Sequence, residues 1–269
     1  MNRTKIEWTD YTWNMWSGCQ PVSEGCKYCY AKRIASRGGR AFPNGFGLTM
    51  RPHKLRNIVG FAPGDKAFVN SMSDFFLEEV EDEHRDDIIE AILKRPDVTF
   101  QILTKRPKAM LDYIHARTPL PANIWLGVTV ESQAQVHRID DLLLAGHQGL
   151  LFISCEPLLG PVDLGPLDGI SWLIVGGESG NHLMDPDIRA KRGLVTRVDH
   201  TKDADGKLVK AHWKPTERGT QIVQDLRRQA MDHGVAFFFK QWGGYLPNAA
   251  GCILDHSVYK EFPDQEVNR

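Results

Sequence analysis

The chain has 269 residues, of which 42% are hydrophobic, and a formal net charge of −1 from 33 Lys and Arg against 34 Asp and Glu. That length fills one large α/β domain spanning residues 1–269, and the balanced charge excludes a global basic field for gathering nucleic acid. No apolar run approaches the roughly 18–20 residues of a membrane span, and the opening MNRTKIEWTD has no apolar core of a signal peptide, so the expectation is a cytoplasmic protein with reduced thiols and no membrane partner.

In chain order, a first strand is expected near residues 11–14, and a helix starts near Tyr30. Residues 67–72 (AFVNSM) read as a buried strand. Residues 82–94 follow as a helix that sets Ile88, Ile89, Ile92 and Leu93 on one face. Strand 99–104 (TFQILT) precedes helix 107–115, with proline in its first turn, and strand 124–130 precedes helix 133–145, closed by Gly146. Further strands are expected at 150–154, 171–175 and 235–240, the last preceded by a long amphipathic helix over 216–233 that stops at Gly234. Residues 185–215 are charged and poor in apolar side chains. They read as a surface insertion, with the turn DADG joining 196–202 to 207–212 in a small hairpin.

Strands alternating with helices of this length predict βαβ units and a parallel sheet. Six strands plus one near 11–14 suit a complete or partial (βα) TIM-like barrel. The competitor is an open Rossmann-like sheet, but no GxGxxG follows the first strand.

Of five cysteines, Cys19, Cys26 and Cys29 fall within eleven residues at spacing C-x6-C-x2-C, whereas Cys155 and Cys252 stand alone. Three soft thiolates on one loop suit an iron–sulfur cluster with one iron left open. They also suit zinc, with His53 as the nearest fourth ligand, and three unrelated buried cysteines are the plain alternative.

Polar groups recur where the strands end: Asn70, Ser71, Ser73 and Asp74; Thr104, Lys105 and Arg106; Thr129 and Glu131; Ser154, Cys155 and Glu156; Gly176, Gly177 and Glu178; Lys240 and Gln241. In a parallel barrel this end of the strands binds ligands, so a polar cavity ringed by these residues is expected. Gly176 and Gly177 allow close backbone approach to a ligand, or a tight turn. Lys105 and Arg106 could pair a carboxylate or phosphate, or form structural ion pairs with Glu131 or Glu156. The cations Lys32, Arg33, Arg37, Arg40, Arg51, His53, Lys54 and Arg56 crowd a glycine-rich loop after the cysteines. The insertion adds Arg189, Lys191, Arg192, Arg197, Lys202, Lys207, Lys210 and Lys214. Such patches suit a phosphate backbone, so DNA, RNA or a nucleotide is the expected partner.

The run GCQPVSEGCKYCYAKR resembles the cluster loop of radical S-adenosylmethionine (SAM) enzymes, in particular the spore photoproduct lyase-like members, although the common spacing there is C-x3-C-x2-C. Through WNMWSGC, NSMSDFF, ILTKRP, WLGVTVES, SCEPLLGP, VGGESG and FFFKQWGG the whole chain resembles a phage-associated family of unknown function with a three-cysteine motif. The resemblance implies a radical SAM type of barrel and the host cytoplasm as location. It implies that Cys19, Cys26 and Cys29 ligate a [4Fe–4S] cluster whose open iron binds SAM, with an external electron donor such as flavodoxin or ferredoxin. Ser71, Ser73, Asp74, Thr104, Thr129, Glu131, Ser154, Glu156, Gly176, Gly177 and Tyr28 become the candidate SAM-binding residues. Trp13, Trp16, Tyr28 and Tyr30 would exclude water from the cluster, and Lys105, Glu178 and Cys155 are the candidate catalytic residues, Cys155 as a hydrogen donor. The expected function is hydrogen abstraction from a nucleic-acid base or nucleotide. The alternatives are a non-catalytic zinc- or iron–sulfur-binding module for nucleic acid, and a magnesium-dependent nuclease using Asp74, Glu131, Glu156 and Glu178.

Overall fold

The computed structural model describes residues 3–39, 42–117, 119–202, 204 and 208–263. The side chains at 199–202 and 208–211 lie outside the described residues. The chain divides into two compact units, Met1–Thr129 with His137–Phe152, and Val130–Val136 with Ile153–Arg269.

The first unit opens with two short strands, β1 (Tyr11–Trp13) and β2 (Trp16–Ser17), followed by helix α1 (Tyr30–Ala35). Strand β3 (Thr49–Met50) pairs antiparallel with β2, and a 3-10 helix over Pro52–Gly60 leads to β4 (Lys66–Val69). Then come α2 (Asp82–Leu93), β5 (Thr99–Thr104), α3 (Pro107–His115), β6 (Ile124–Thr129) and α4 (Arg138–Leu144). β1–β4, β4–β5 and β5–β6 pair in parallel. The core of this unit is aromatic: Trp13 packs on Phe61 and Phe100, and Trp8 on Phe68 and Phe152. β6 is buried along its whole length, as its near-continuous apolar sequence requires of a strand covered on both faces. Gly127 gives the Phe152 ring its place, since a Cβ there would stand about 2.6 Å from three ring carbons.

The second unit contains most of β7 (Leu151–Leu158), then β8 (Trp172–Gly177), α5 (Pro186–Arg192), the strands β9 (Val195–Lys202) and β10 (Leu208–Pro215), α6 (Glu217–Asp232) and β11 (Ala236–Gln241). β9 and β10 pair antiparallel, as expected on either side of DADG; residues 203, 205 and 206 of that turn lie outside the described residues. β8 and β11 pair in parallel. Helix α6 is capped by Thr216, whose hydroxyl accepts from the Gly219 N–H at 2.9 Å, and it buries Ile222, Val223, Leu226 and Ala230. Trp172, Phe237, Phe238, Phe239 and Trp242 are the large side chains of its core.

The hydrogen-bonding order is β1-β4-β5-β6-β7-β8-β11, a run of consecutive parallel strands separated by helices. β1 and β11 stand at opposite ends of that order, so the α/β arrangement is a partial (βα) barrel rather than a closed one. Among the described residues no helix is long and apolar enough to cross a membrane.

Two expected elements differ. The helix expected over 133–145 is a 3-10 turn, Gln133–Gln135, followed by the shorter α4. The glycine-rich loop expected after the cysteines carries β3 and enters the 3-10 helix, and the Lys54 carbonyl accepts from Trp13 Nε1 at 2.9 Å.

Candidate functional site

The cysteine loop leaves β2 through Gly18, at φ 97°, a conformation in which a side chain would be strained. A Cβ at Gly18 would also run into the Gly47 carbonyl. The Gly18 N–H donates to the Met72 carbonyl at 3.1 Å, and Ser73 Oγ donates back to the Gly18 carbonyl. Cys19 follows at once. Cys26 ends a 3-10 turn, Glu24–Cys26, its N–H donating to the Ser23 carbonyl at 3.1 Å. Cys29 is the N-cap of α1, and its N–H donates to the Cys26 carbonyl at 3.3 Å.

This loop is stitched to the segment after β4. Asn14 Oδ1 accepts from the Met72 N–H at 3.0 Å and from Ser71 Oγ at 3.3 Å, and the Tyr30 hydroxyl donates to the Ser71 carbonyl. Asn70 stands at φ 56°, unusual for a residue with a Cβ, and its Oδ1 accepts from the Met15 N–H at 2.9 Å. Asn70 Nδ2 is buried with no partner among the described residues.

Asp74 is the hub of the neighbouring strand ends. Its Oδ1 accepts from Thr104 Oγ1 at 2.6 Å and the Phe76 N–H at 3.0 Å, and its Oδ2 from the Lys105 N–H at 2.9 Å. Lys105 Nζ donates to Thr129 Oγ1 at 3.3 Å, which brings Asp74, Thr104, Lys105 and Thr129 into one hydrogen-bonded chain. Arg106 forms an ion pair with Glu78 and donates to the Gln20 carbonyl at 2.8 Å. Burial, and secondarily the Asp74 charge, push the Cys19 thiol up to about 11, against the opposing pull of Arg106.

Cys19, Cys26 and Cys29 are all free and half-buried. Among the described residues no three His, Cys, Asp or Glu side chains are gathered closely enough to hold a metal ion. In chemistry the donor set fits an iron–sulfur centre: three thiols in one loop, unspent on disulfides. Trp13 and Trp16 are fully buried beneath the loop, Trp16 Nε1 donating to the Asp74 carbonyl at 3.2 Å, whereas Tyr28 is half-buried and Tyr30 exposed.

In the second unit, Glu156 Oε1 accepts from Lys240 Nζ at 2.6 Å, and Gly176 lies against the same carboxylate, its absent Cβ about 3.1 Å from Glu156 Cδ. Gly177 faces the Trp242 carbonyl, so the close approach it permits is to β11's own chain. Cys155 is fully buried, its thiol pushed up by burial and by the charge of Glu131. The Ser154 carbonyl accepts from the Val130 N–H at 2.9 Å, and the Glu131 carbonyl from the Leu159 N–H at 2.9 Å. Glu178 is taken up by a different set: Arg192 forks onto it at 2.7 and 2.9 Å, and His182 Nε2 lies 3.2 Å away.

Of the basic residues after the cysteines, Lys32, Arg33, Arg37, His53 and Arg56 are exposed, while Arg51 donates to Ser17 Oγ at 3.1 Å and stacks on Phe42. Arg40 and Lys207 lie outside the described residues, as do the side chains of Lys202 and Lys210. Sequence reasoning passed over Asn14 and Gly18. Asn14 and Gly18 sit inside WNMWSGC, where a polar side chain between two tryptophans and a glycine just before the first cysteine were the available signal.

Among solved structures, the chain is similar to spore photoproduct lyase. A double mutant with bound AdoMet and dinucleoside spore photoproduct has 11% identity and a TM-score of 0.49, over 88% of this chain and 76% of that one. A complex with dinucleoside spore photoproduct has 12% identity and a TM-score of 0.48 over the same shares. Among curated proteins, none matches the chain. The family model described as a protein of unknown function, DUF5131, matches residues 3–195, a span that takes in the cysteine loop, the Asp74 hub and the strand ends around it, and the chain belongs to that family.

Proposed function

We propose that the chain is a radical SAM enzyme acting on a nucleic-acid base or nucleotide. The observation that carries the reading is the double stitch between the cysteine loop and the segment after β4, from Gly18 to Met72 and Ser73 and from Tyr30 to Ser71. It holds three free thiols beside the polar ends of parallel strands, where such folds bind ligands.

In this reading Cys19, Cys26 and Cys29 hold a [4Fe–4S] cluster. When bound, the cluster and SAM supply a one-electron route to a carbon radical that takes hydrogen from the substrate. The chain's own contribution is to bind, orient and shield. Ser71 and Ser73, with the unspent Asn70 amide, offer short polar groups to the amino acid part of SAM, and Asp74 fixes the segment that carries them. Lys105 offers its ammonium, already turned toward Thr129, to a carboxylate or phosphate. Buried Trp13 and Trp16 keep water from the protein side of the loop. Exposed Lys32, Arg33, Arg37, His53 and Arg56 support a phosphate-bearing substrate. Electrons come from a flavodoxin- or ferredoxin-type donor.

Anaerobic reconstitution of the full chain with iron and sulfide, followed by reduction in the presence of SAM, tests this. A brown protein that releases 5′-deoxyadenosine, and loses both properties on Cys26→Ala, is the expected result. A folded chain that retains zinc, takes up no iron–sulfur cluster and leaves SAM intact overturns it.

A further inference from the structure

Arg106 is a buried cation bonded to the cysteine loop, and the reasons for its position are visible. It precedes α3, and its own N–H donates to Thr104 Oγ1 at 2.9 Å, while Thr104 hangs from Asp74. The backbone that carries the guanidinium is therefore fixed by the Asp74 hub. From there the side chain reaches back across the sequence to the cysteine loop, donating at 2.8 Å to the Gln20 carbonyl, the same carbonyl that accepts from the Cys19 thiol at 3.5 Å.

Its charge is incompletely answered. The Arg106 side chain is 6% exposed, yet its ion-pair partner Glu78 is 60% exposed, so the carboxylate that neutralises it is solvated while the guanidinium is not. Arg106 Nε is buried with no partner among the described residues. A cation taken out of water and only half compensated is costly unless a negative group belongs beside it. Asp74 is near but is spent on Thr104, Phe76 and Lys105. Across the shared Gln20 carbonyl stands a sulfur of suitable chemistry, that of Cys19, the first thiol of the three.

We infer that Arg106 is a positioning residue of the metal centre, one that pins Cys19 and Gln20 and sets the reduction potential of the cluster held by the three thiolates. The inference rests on the cluster reading above and deepens it. A fixed positive charge at the first ligand stabilises the more negative, reduced state of an iron–sulfur centre, because one-electron reduction adds a negative charge within a poorly screened site. Glu78 works in the opposite sense by partly cancelling the guanidinium. The two residues therefore form a pair whose separate removal must move the potential in opposite directions, a signature that simple support of the loop cannot produce.

The test is a redox titration of the reconstituted full chain with dithionite as electron donor, followed by electron paramagnetic resonance, for the wild type and for Arg106→Gln, Arg106→Lys and Glu78→Gln. Arg106→Gln is expected to lower the midpoint by at least tenfold in the one-electron equilibrium, about 59 mV. Glu78→Gln is expected to raise it, and Arg106→Lys, which keeps the charge, to stay nearer the wild type than Arg106→Gln does. Equal midpoints for iron-loaded wild type and Arg106→Gln, or shifts of the same sign for Arg106→Gln and Glu78→Gln, overturn the inference while leaving the cluster reading intact. Should Arg106→Gln fold poorly, the exposed Glu78→Gln carries the test, and an unmoved midpoint there overturns it. A folded wild-type chain that takes up no iron overturns the cluster reading, and this inference with it.

Discussion

Thr104 Oγ1 donates a 2.6 Å hydrogen bond to Asp74 Oδ1, so the end of β5 hangs from the segment that follows β4. That one bond ties the Lys105–Arg106 corner to the segment that Gly18 and Ser73 fasten to the cysteine loop. Three successive pieces of chain at one end of the sheet thus depend on a single carboxylate.

Asp74→Ala is expected to destabilise the chain by about 3 kcal/mol, because the Thr104 hydroxyl and the Phe76 and Lys105 N–H groups all lose a buried acceptor at once. Asp74→Asn keeps a carbonyl oxygen for Thr104 Oγ1 and the Phe76 N–H while its NH2 meets the Lys105 N–H, so it should cost less than Asp74→Ala. Urea denaturation of the two variants beside the wild type reads the difference. An alanine variant within about 0.5 kcal/mol of wild type would contradict the hub.

Gly18→Ala combines a strained φ of 97° with a collision against the Gly47 carbonyl. It is expected to cost at least about 2 kcal/mol and to loosen the cysteine loop before the rest of the unit. Limited proteolysis checks this: new cleavage should appear between residues 19 and 29, where Lys27 is exposed, while the strands stay resistant. A variant cut no faster than wild type would show that the Gly18 contact does not hold the loop.

How much of this could be read from sequence follows from the range of each interaction. The strands and helices were legible because their apolar periodicity is local: α2 and β5 fall within one residue of the expected bounds. β7 runs past the expected end at 154 to Leu158, through Pro157, a residue that sequence patterns treat as a strand breaker. The helix expected from residue 133 starts late, and Arg138 at the head of α4 turns inward to donate to the Thr129 carbonyl at 2.7 Å. At the site, the three cysteines announce themselves by residue type. The contacts that place them do not, since Asn14 meets Met72 across 58 residues and Arg106 meets Gln20 across 86. Nor could sequence tell that Gly177 makes room for the Trp242 carbonyl rather than for a ligand.

Glu178 separates support from chemistry. Its side chain is 4% exposed and bound by an Arg192 fork whose own side chain is 13% exposed. Glu178→Gln should therefore cost about 3 kcal/mol by leaving a buried guanidinium without its counter-charge. Combining it with Arg192→Met should recover part of that loss, since removing both charges is cheaper than stranding one. Full stability in Glu178→Gln would return Glu178 to the candidates for direct chemistry.

His147 gives a pH signature independent of the cysteine loop. Its Nε2 lies 2.8 Å from the Ile124 carbonyl, which can only accept, so Nε2 carries the proton, and Nδ1 has no partner among the described residues. Burial holds the imidazole below its usual range, only partly offset by the bond to Ile124. The folded chain therefore binds this proton less readily than the unfolded one, whose value is about 6.5. The stability tied to a neutral His147 is fully present above that value and is lost as pH falls from it toward the lowered folded value. His147→Gln keeps a donor for Ile124 and removes the titration. Thermal unfolding of both proteins at pH 7.5 and pH 5.5 should show a smaller loss of Tm on acidification in the variant. If the two proteins lose Tm equally, the imidazole is protonated as freely in the folded chain as in the unfolded one, and the burial argument for His147 fails.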